Sequence, residues 1–127
     1  MDRTPGYAVL NRTRDSLVAT RVRLAGVSKE RRKGLSGIAE MADGAGLWIV
    51  PCEAVHTFGM RMHIDVIFLD REFKVRHTRS ALAPNRIAVC LRAYSVLELA
   101  PGVIQRSDTR VGDRLECSLI PAGEADE

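Results

Sequence analysis

Apolar and polar residues alternate with period two along several short stretches of this chain. The longest runs from Leu17 to Ala25, with Leu17, Ala19, Arg21, Arg23 and Ala25 on one face and Val18, Thr20, Val22 and Leu24 on the other. That period predicts a half-buried strand. Tyr7–Asn11 predicts a short strand before it, and Asn11–Asp15 a polar turn between the two. Ser28 is placed to cap a helix from Lys29 that Gly34 ends, and Leu35, Ile38 and Met41 continue at helical spacing. Asp43–Gly46 predicts a loop. Leu47–Val50 then predicts a strand stopped by Pro51, because proline has no place in a central strand.

Val55–Met60 predicts the next strand. Ile64–Leu69 is apolar on both faces apart from Asp65, the pattern of an interior strand. Asp70–Glu72 predicts a tight turn into a partner strand, Phe73–Thr78, and Ala83–Arg86 a loop. Tyr94–Leu99 predicts another strand. Pro101 starts a helix of about two turns, since its missing N–H falls on a position with no intrahelical partner. Val111–Asp113 turns the chain into a last strand, Arg114–Ile120, and Pro121–Glu127 predicts a frayed acidic tail. The sum is an α+β, mainly β fold of about seven or eight short strands and two short helices. It predicts a small barrel or a folded, mostly antiparallel sheet.

Length agrees with one domain spanning 1–127. The chain has 127 residues and 14.0 kDa, is 46% hydrophobic and 28% charged, and can bury roughly two thirds of its unfolded surface without disulfides or metal. The net charge of +3 is made of alternating blocks, from nine basic and three acidic residues in 1–37 to none and four in 115–127. A nucleic-acid footprint concentrates its cations, so nucleic acid is not the expected partner. The densest basic run, Lys29–Lys33, reads as a solvated helix face. Cys52, Cys90 and Cys117 are odd in number and widely spaced, which argues against a disulfide framework and a cysteine-rich zinc site. No stretch is long and apolar enough to span a membrane, and no signal peptide is apparent. A cytoplasmic protein, monomeric or a small homo-oligomer, is expected.

The most informative stretch is Cys52–Asp70, with His56-Thr57, Met60-Arg61, Ile64-Asp65-Val66 and Phe68-Leu69-Asp70. Arg32-Lys33-Gly34-Leu35 and Gly46-Leu47-Trp48-Ile49 precede it, and Val96-Leu97-Glu98-Leu99 and Val111-Gly112-Asp113-Arg114-Leu115 follow. Taken in order over about residues 17–117, these blocks resemble the bacterial and archaeal "domain of unknown function 192" family. The sequence departs from that pattern at His63, where the family often has proline, and at Ala100-Pro101-Gly102. The resemblance implies a compact, mainly β domain and brings no agreed activity.

Candidate chemistry lies where polar residues interrupt apolar strands. Asp65 is flanked by Ile64 and Val66–Leu69, and a carboxylate there must be paired or hydrogen-bonded to be buried cheaply. Arg61 is a candidate partner, and an anchor for the loop at 61–63 is the other structural role. His56 is a candidate site residue at the start of a strand, and Glu98 is a lone carboxylate between Leu97 and Leu99. These predict a small binding or accessory module whose ligand-binding pocket is His56, Arg61, Asp65 and Glu98. Arg61 would hold an anionic group, Asp65 and Glu98 would orient donors, and the partner would be a small molecule or protein. The alternative is a small hydrolase-like enzyme using His56 with Asp65 as base and orienter, with or without metal. Cys52, His56 and His63 form the one loose metal-ligand series, at a spacing that matches no standard zinc pattern. No cofactor motif is present, and GxGxxG, Walker, HExxH and GxSxG signatures are all missing.

Overall fold

The computed structural model describes residues 6–25 and 40–120. In chain order its elements are β1 (Gly6–Asn11), β2 (Ser16–Ala25), β3 (Ala45–Ile49), β4 (Ala54–His56), β5 (Ile64–Leu69), β6 (Val75–Leu82), β7 (Ile87–Val89), β8 (Ser95–Leu99), helix α1 (Val103–Ser107) and β9 (Leu115–Ile120). Seven strands form one sheet in the order β6-β5-β8-β3-β2-β1-β9, and β4 pairs with β7 in a separate small sheet. Only β2 and β3 run parallel; every other pair is antiparallel.

The large sheet curls until its edge strands approach one another. Lys74, just before β6, bridges to Arg114, just before β9, and the Leu115 N–H donates to the Phe73 carbonyl at 2.9 Å. The Val75 N–H also donates to the Asp113 carbonyl and the Gly112 N–H to the Val75 carbonyl, both at 2.8 Å. β6 and β9 do not pair along their lengths, so the sheet is strongly folded but is not the closed barrel that the strand count allowed. The mostly antiparallel folded sheet is the architecture found. Nine strands occur among the described residues, one more than the pattern predicted, because β7 is short and its alternation is easily read as loop. The first predicted helix, from Lys29, falls outside the described residues. The second is shorter than expected: Gly102, at φ 96°, is its N-cap, so Pro101 stays in the preceding turn.

Two neighbouring strands are enclosed on both faces. All of β5 and all of β8 are buried, because both faces of the sheet are covered there. Side-chain parity then sorts the interior into two clusters. Ile67, Leu69, Leu97 and Leu99 point into the first, with Val9, Val18, Val22 and Leu115 and with α1 lying over it through Val103 and Ile104. Ile64, Val66, Phe68 and Val96 point into the second, with Leu47 and Ile49, and with the small sheet covering it through Val55 and Ala88. Each large side chain so buried contributes about 1.5–3 kcal/mol. Gly46 allows β3 to lie tight on β8, since a Cβ there would sit 2.6 Å from Leu99 Cδ2 and 2.8 Å from the Glu98 carbonyl oxygen.

Asp65 stands on the first face, opposite Leu99, fully buried. Its Oδ1 accepts the Ala81 N–H at 2.9 Å and its Oδ2 accepts the Ile104 N–H at 2.8 Å. One carboxylate therefore ties the irregular end of β6 and the first turn of α1 to the central strand. The Arg61 pairing considered from sequence is not made. A second buried polar cluster lies just beyond the C-terminus of α1. Asn11 donates to Thr109 and to Asp113, and Asp113 also accepts from Arg14 Nε at 3.1 Å and the Arg110 N–H at 2.9 Å. Sequence reading passed over Asn11, Thr109 and Asp113 because each looked like an ordinary turn residue.

Asp65→Asn replaces an acceptor by an amide donor facing a backbone N–H. Its unfolding free energy in urea should fall by about 2–4 kcal/mol, and a loss no larger than that of a surface Asp→Asn change would contradict this bonding. Burial opposes ionisation of Asp113, but the hydrogen bonds from Asn11, Arg14 and Arg110 and the Arg14 charge hold its carboxyl below the ordinary 3.8. That stabilisation is present above the unfolded-state pKa and disappears as pH falls through the lower folded value. Asp113→Asn should therefore be less stable than wild type at neutral pH, with the gap closing in strong acid when urea midpoints are compared across pH.

Candidate functional site

Glu98 occupies the centre of the large sheet on the face opposite Asp65. Its neighbours across the strands are Val66 on β5 and Leu47 on β3, both fully or almost fully buried. Glu98 itself is 4% exposed, and no described residue gives its carboxyl a hydrogen bond or an ion pair. Burial pushes its pKa up from 4.5 to about 7. The same register row continues outward to Arg79 on β6 and Arg23 on β2. Both arginines are exposed, and neither makes an ion pair with Glu98.

The other three predicted pocket residues lie elsewhere. Asp65 points into the first cluster and both its oxygens are occupied by backbone N–H groups. His56 is exposed on the small sheet, where its Nδ1 accepts the Phe58 N–H at 3.3 Å and its ring stacks on Phe58 at 5.2 Å. Val55, its neighbour in β4, packs inward on the second cluster, so His56 faces away from Glu98. Arg61 is exposed in the loop before β5, between Met60 and Met62, which both pack on the second cluster. The four do not converge on one pocket, and His56 and Asp65 do not form a hydrogen-bonded base and orienter. Cys52, His56 and His63 are not gathered as ligands: among the described residues no group of three or more His, Cys, Asp or Glu could hold a metal ion.

The signature residue that sequence reading left aside is Thr57. It is fully buried, and its Oγ1 donates to the Ala83 carbonyl at 2.7 Å and accepts the Arg86 N–H at 2.8 Å. Thr57 fastens the loop before β7 to the end of β4, which fixes the small sheet in place. Where that sheet meets the β5–β6 turn there is an open groove of about 700 Å³, lined among others by Glu53, Asp70, Arg71, Arg76, Arg92 and Tyr94. Arg71 lies over the Tyr94 ring at 4.0 Å, and Arg76 is paired with Asp70 at 2.8 Å. The cysteines are free; burial, with a smaller effect from Glu116, pushes the Cys117 thiol up to about 12, so it stays protonated at neutral pH.

This arrangement is built from the same ordered blocks that carried the resemblance, and a family model matches residues 9–117. The chain belongs to the DUF192 family. The family is described as "Uncharacterized ACR", and no curated protein matches the chain. Two solved structures share the DUF192 fold seen here. One is a protein of unknown function from Novosphingobium aromaticivorans DSM 12444, 22% identical, with a TM-score of 0.76 over 87% of this chain and 83% of that one. The other, from Sinorhizobium meliloti 1021, is described as a "putative transcription regulator"; it is 21% identical, with a TM-score of 0.79 over 92% and 96% of the two chains. No helix among the described residues is long and apolar enough to cross a membrane.

A carboxyl whose folded pKa lies above its unfolded value stabilises the fold most below the unfolded value, and that contribution is lost as pH rises through about 7. Glu98→Gln removes the penalty. It should be more stable than wild type at pH 8 by about 1–3 kcal/mol and close to wild type at pH 4.5. Equal stability differences at both pH values, read from urea unfolding, would mean that Glu98 is partnered.

Proposed function

We propose that this DUF192 protein is a small binding module that takes up a compact amine-bearing ligand at Glu98, without a cofactor and in the reducing cytoplasm. The observation that carries this reading is a buried carboxyl between Val66 and Leu47 that has no partner among the described residues. Burying such a group is costly, and a ligand ammonium would supply the missing partner and favour its ionised form. Met60 and Met62 lie over the same cluster, and their unbranched side chains repack easily to admit a guest. Arg61, between them in sequence and exposed, would meet a carboxylate at the ligand's other end. A short ω-amino acid has that chemistry. Asp65, with both oxygens engaged by the backbone, acts as scaffold in this reading, and His56 stands apart from the ligand.

Titration with a series of short ω-amino acids, followed in amide NMR spectra, tests it. Saturable shifts at Leu47, Val66 and Glu98 are expected, abolished in Glu98→Gln and weakened in Arg61→Gln. Absence of a saturable response, or an equal response in Glu98→Gln, overturns the reading.

A further inference from the structure

The small sheet carries an outer face of unusual composition. A two-stranded sheet lying on a core normally turns polar residues to solvent. Here Ile87 and Val89 point outward at 60% and 51% exposure, while Ala88 between them is buried. Across the strand pair His56 stands opposite Ile87 and carries Phe58 stacked on it, itself 49% exposed. Leu91, in the turn after β7, adds a fourth large apolar side chain at 77% exposure. The other exposed large apolar residues, Leu17, Leu24, Val111 and Leu119, belong to other elements. A cluster of this kind marks an interaction site.

Its surroundings say what kind of partner fits. Arg86 and Arg92 flank β7 at its two ends, both exposed. Arg86 uses Nη1 on the Pro84 and Asn85 carbonyls and keeps its other donors free; Arg92 has no ion-pair partner. Leu91 and Arg92 also line the groove that holds Arg71 against Tyr94, so the apolar strip runs on into a recess lined by Tyr94, Arg71, Arg76 and Arg92. Carboxylates are present as well. Asp70 is already paired with Arg76, and Glu53 and Glu72 line the groove. A second copy docked antiparallel along β7 would set Arg86 against Arg92 and Arg92 against Arg86, which disfavours that self-association. The strip is also preformed: Thr57 clamps one end, and the Cys90 N–H donates to the Glu53 carbonyl at 2.8 Å at the other. A rigid strip loses little entropy when it is covered.

We propose that the outer face of β4 and β7 docks a segment of a partner protein in which apolar side chains are flanked by carboxylates. The apolar side chains would cover Phe58, Ile87, Val89 and Leu91, and the carboxylates would meet Arg86 and Arg92. This surface lies on the far side of the small sheet from Glu98 and is independent of any ligand there.

Two synthetic peptides test it on the intact protein: leucines flanked by glutamates, and the same leucines flanked by lysines. The glutamate peptide should bind saturably, shift the amide signals of 54–58 and 86–92, and weaken with added salt. Val89→Glu, an exposed change that leaves the thermal midpoint in place, should weaken it by about tenfold or more. Arg86→Glu with Arg92→Glu should reverse the preference toward the lysine peptide, and Glu98→Gln should change nothing. Equal binding of both peptides, binding of neither, or shifts confined to another surface overturns the proposal. So does sedimentation with phosphatidylserine vesicles that Val89→Glu abolishes, which assigns the strip to a membrane. A concentration-dependent dimer lost in Val89→Glu also overturns it, assigning the strip to a second copy.

Discussion

The architecture depends on one buried carboxylate. Asp65 sits in the central strand with no exposure, and its two oxygens receive backbone N–H groups from Ala81 and Ile104. Those two donors belong to segments far apart in sequence: an irregular stretch of β6, where Ala81 has φ 51°, and the opening turn of α1. Neither can satisfy itself. A left-handed residue breaks the ladder with the neighbouring strand, and the first N–H groups of any helix lack intrahelical acceptors. The carboxylate resolves both at once, and thereby fixes where α1 lies over the first core cluster.

Glu98 poses the opposite case one strand away. Asp65 and Glu98 are both acidic, both buried and both surrounded in sequence by Leu, Ile and Val. They differ in parity. Asp65 lies across from Leu99 and Glu98 across from Val66, so their side chains leave the sheet in opposite directions. On Asp65's side the covering layer offers backbone donors. On Glu98's side it offers Val55, Met60 and Ala88, which donate nothing. The same physical cost is therefore met in one case and left standing in the other, which makes one residue scaffold and the other the centre of the proposed site.

Much of the fold was legible in the chain. Period-two alternation located β2, and apolar runs bounded by turn signals located β1, β3, β5, β8 and β9, each to within a residue or two, because each is half or wholly buried and its pattern reports that burial. It failed where burial is decided by another layer. The strand expected over Val55–Met60 ends at His56, because Thr57 turns its hydroxyl to the 83–86 loop. Strand β7 went unread, and β6 runs on to Leu82 through a bulge that Asp65 supports. His77, on β6, is partly buried and stacks on Phe68 at 5.7 Å.

By itself the sequence determined the family, the single mainly β domain, the interior strand at Ile64–Leu69 and the acidic residues, Asp65 and Glu98, that interrupt apolar runs. These are local properties, written in spacing and side-chain type. Only the tertiary structure decided which of those residues share a space. Whether a polar side chain is satisfied, orphaned or exposed depends on what the opposite layer presents to it, and that layer comes from distant parts of the chain. This is why Asp65 and Glu98 look alike in sequence and behave differently in the fold. It is also why the outer face of the small sheet, formed by two short strands that no local pattern joins, appears only once the chain is folded.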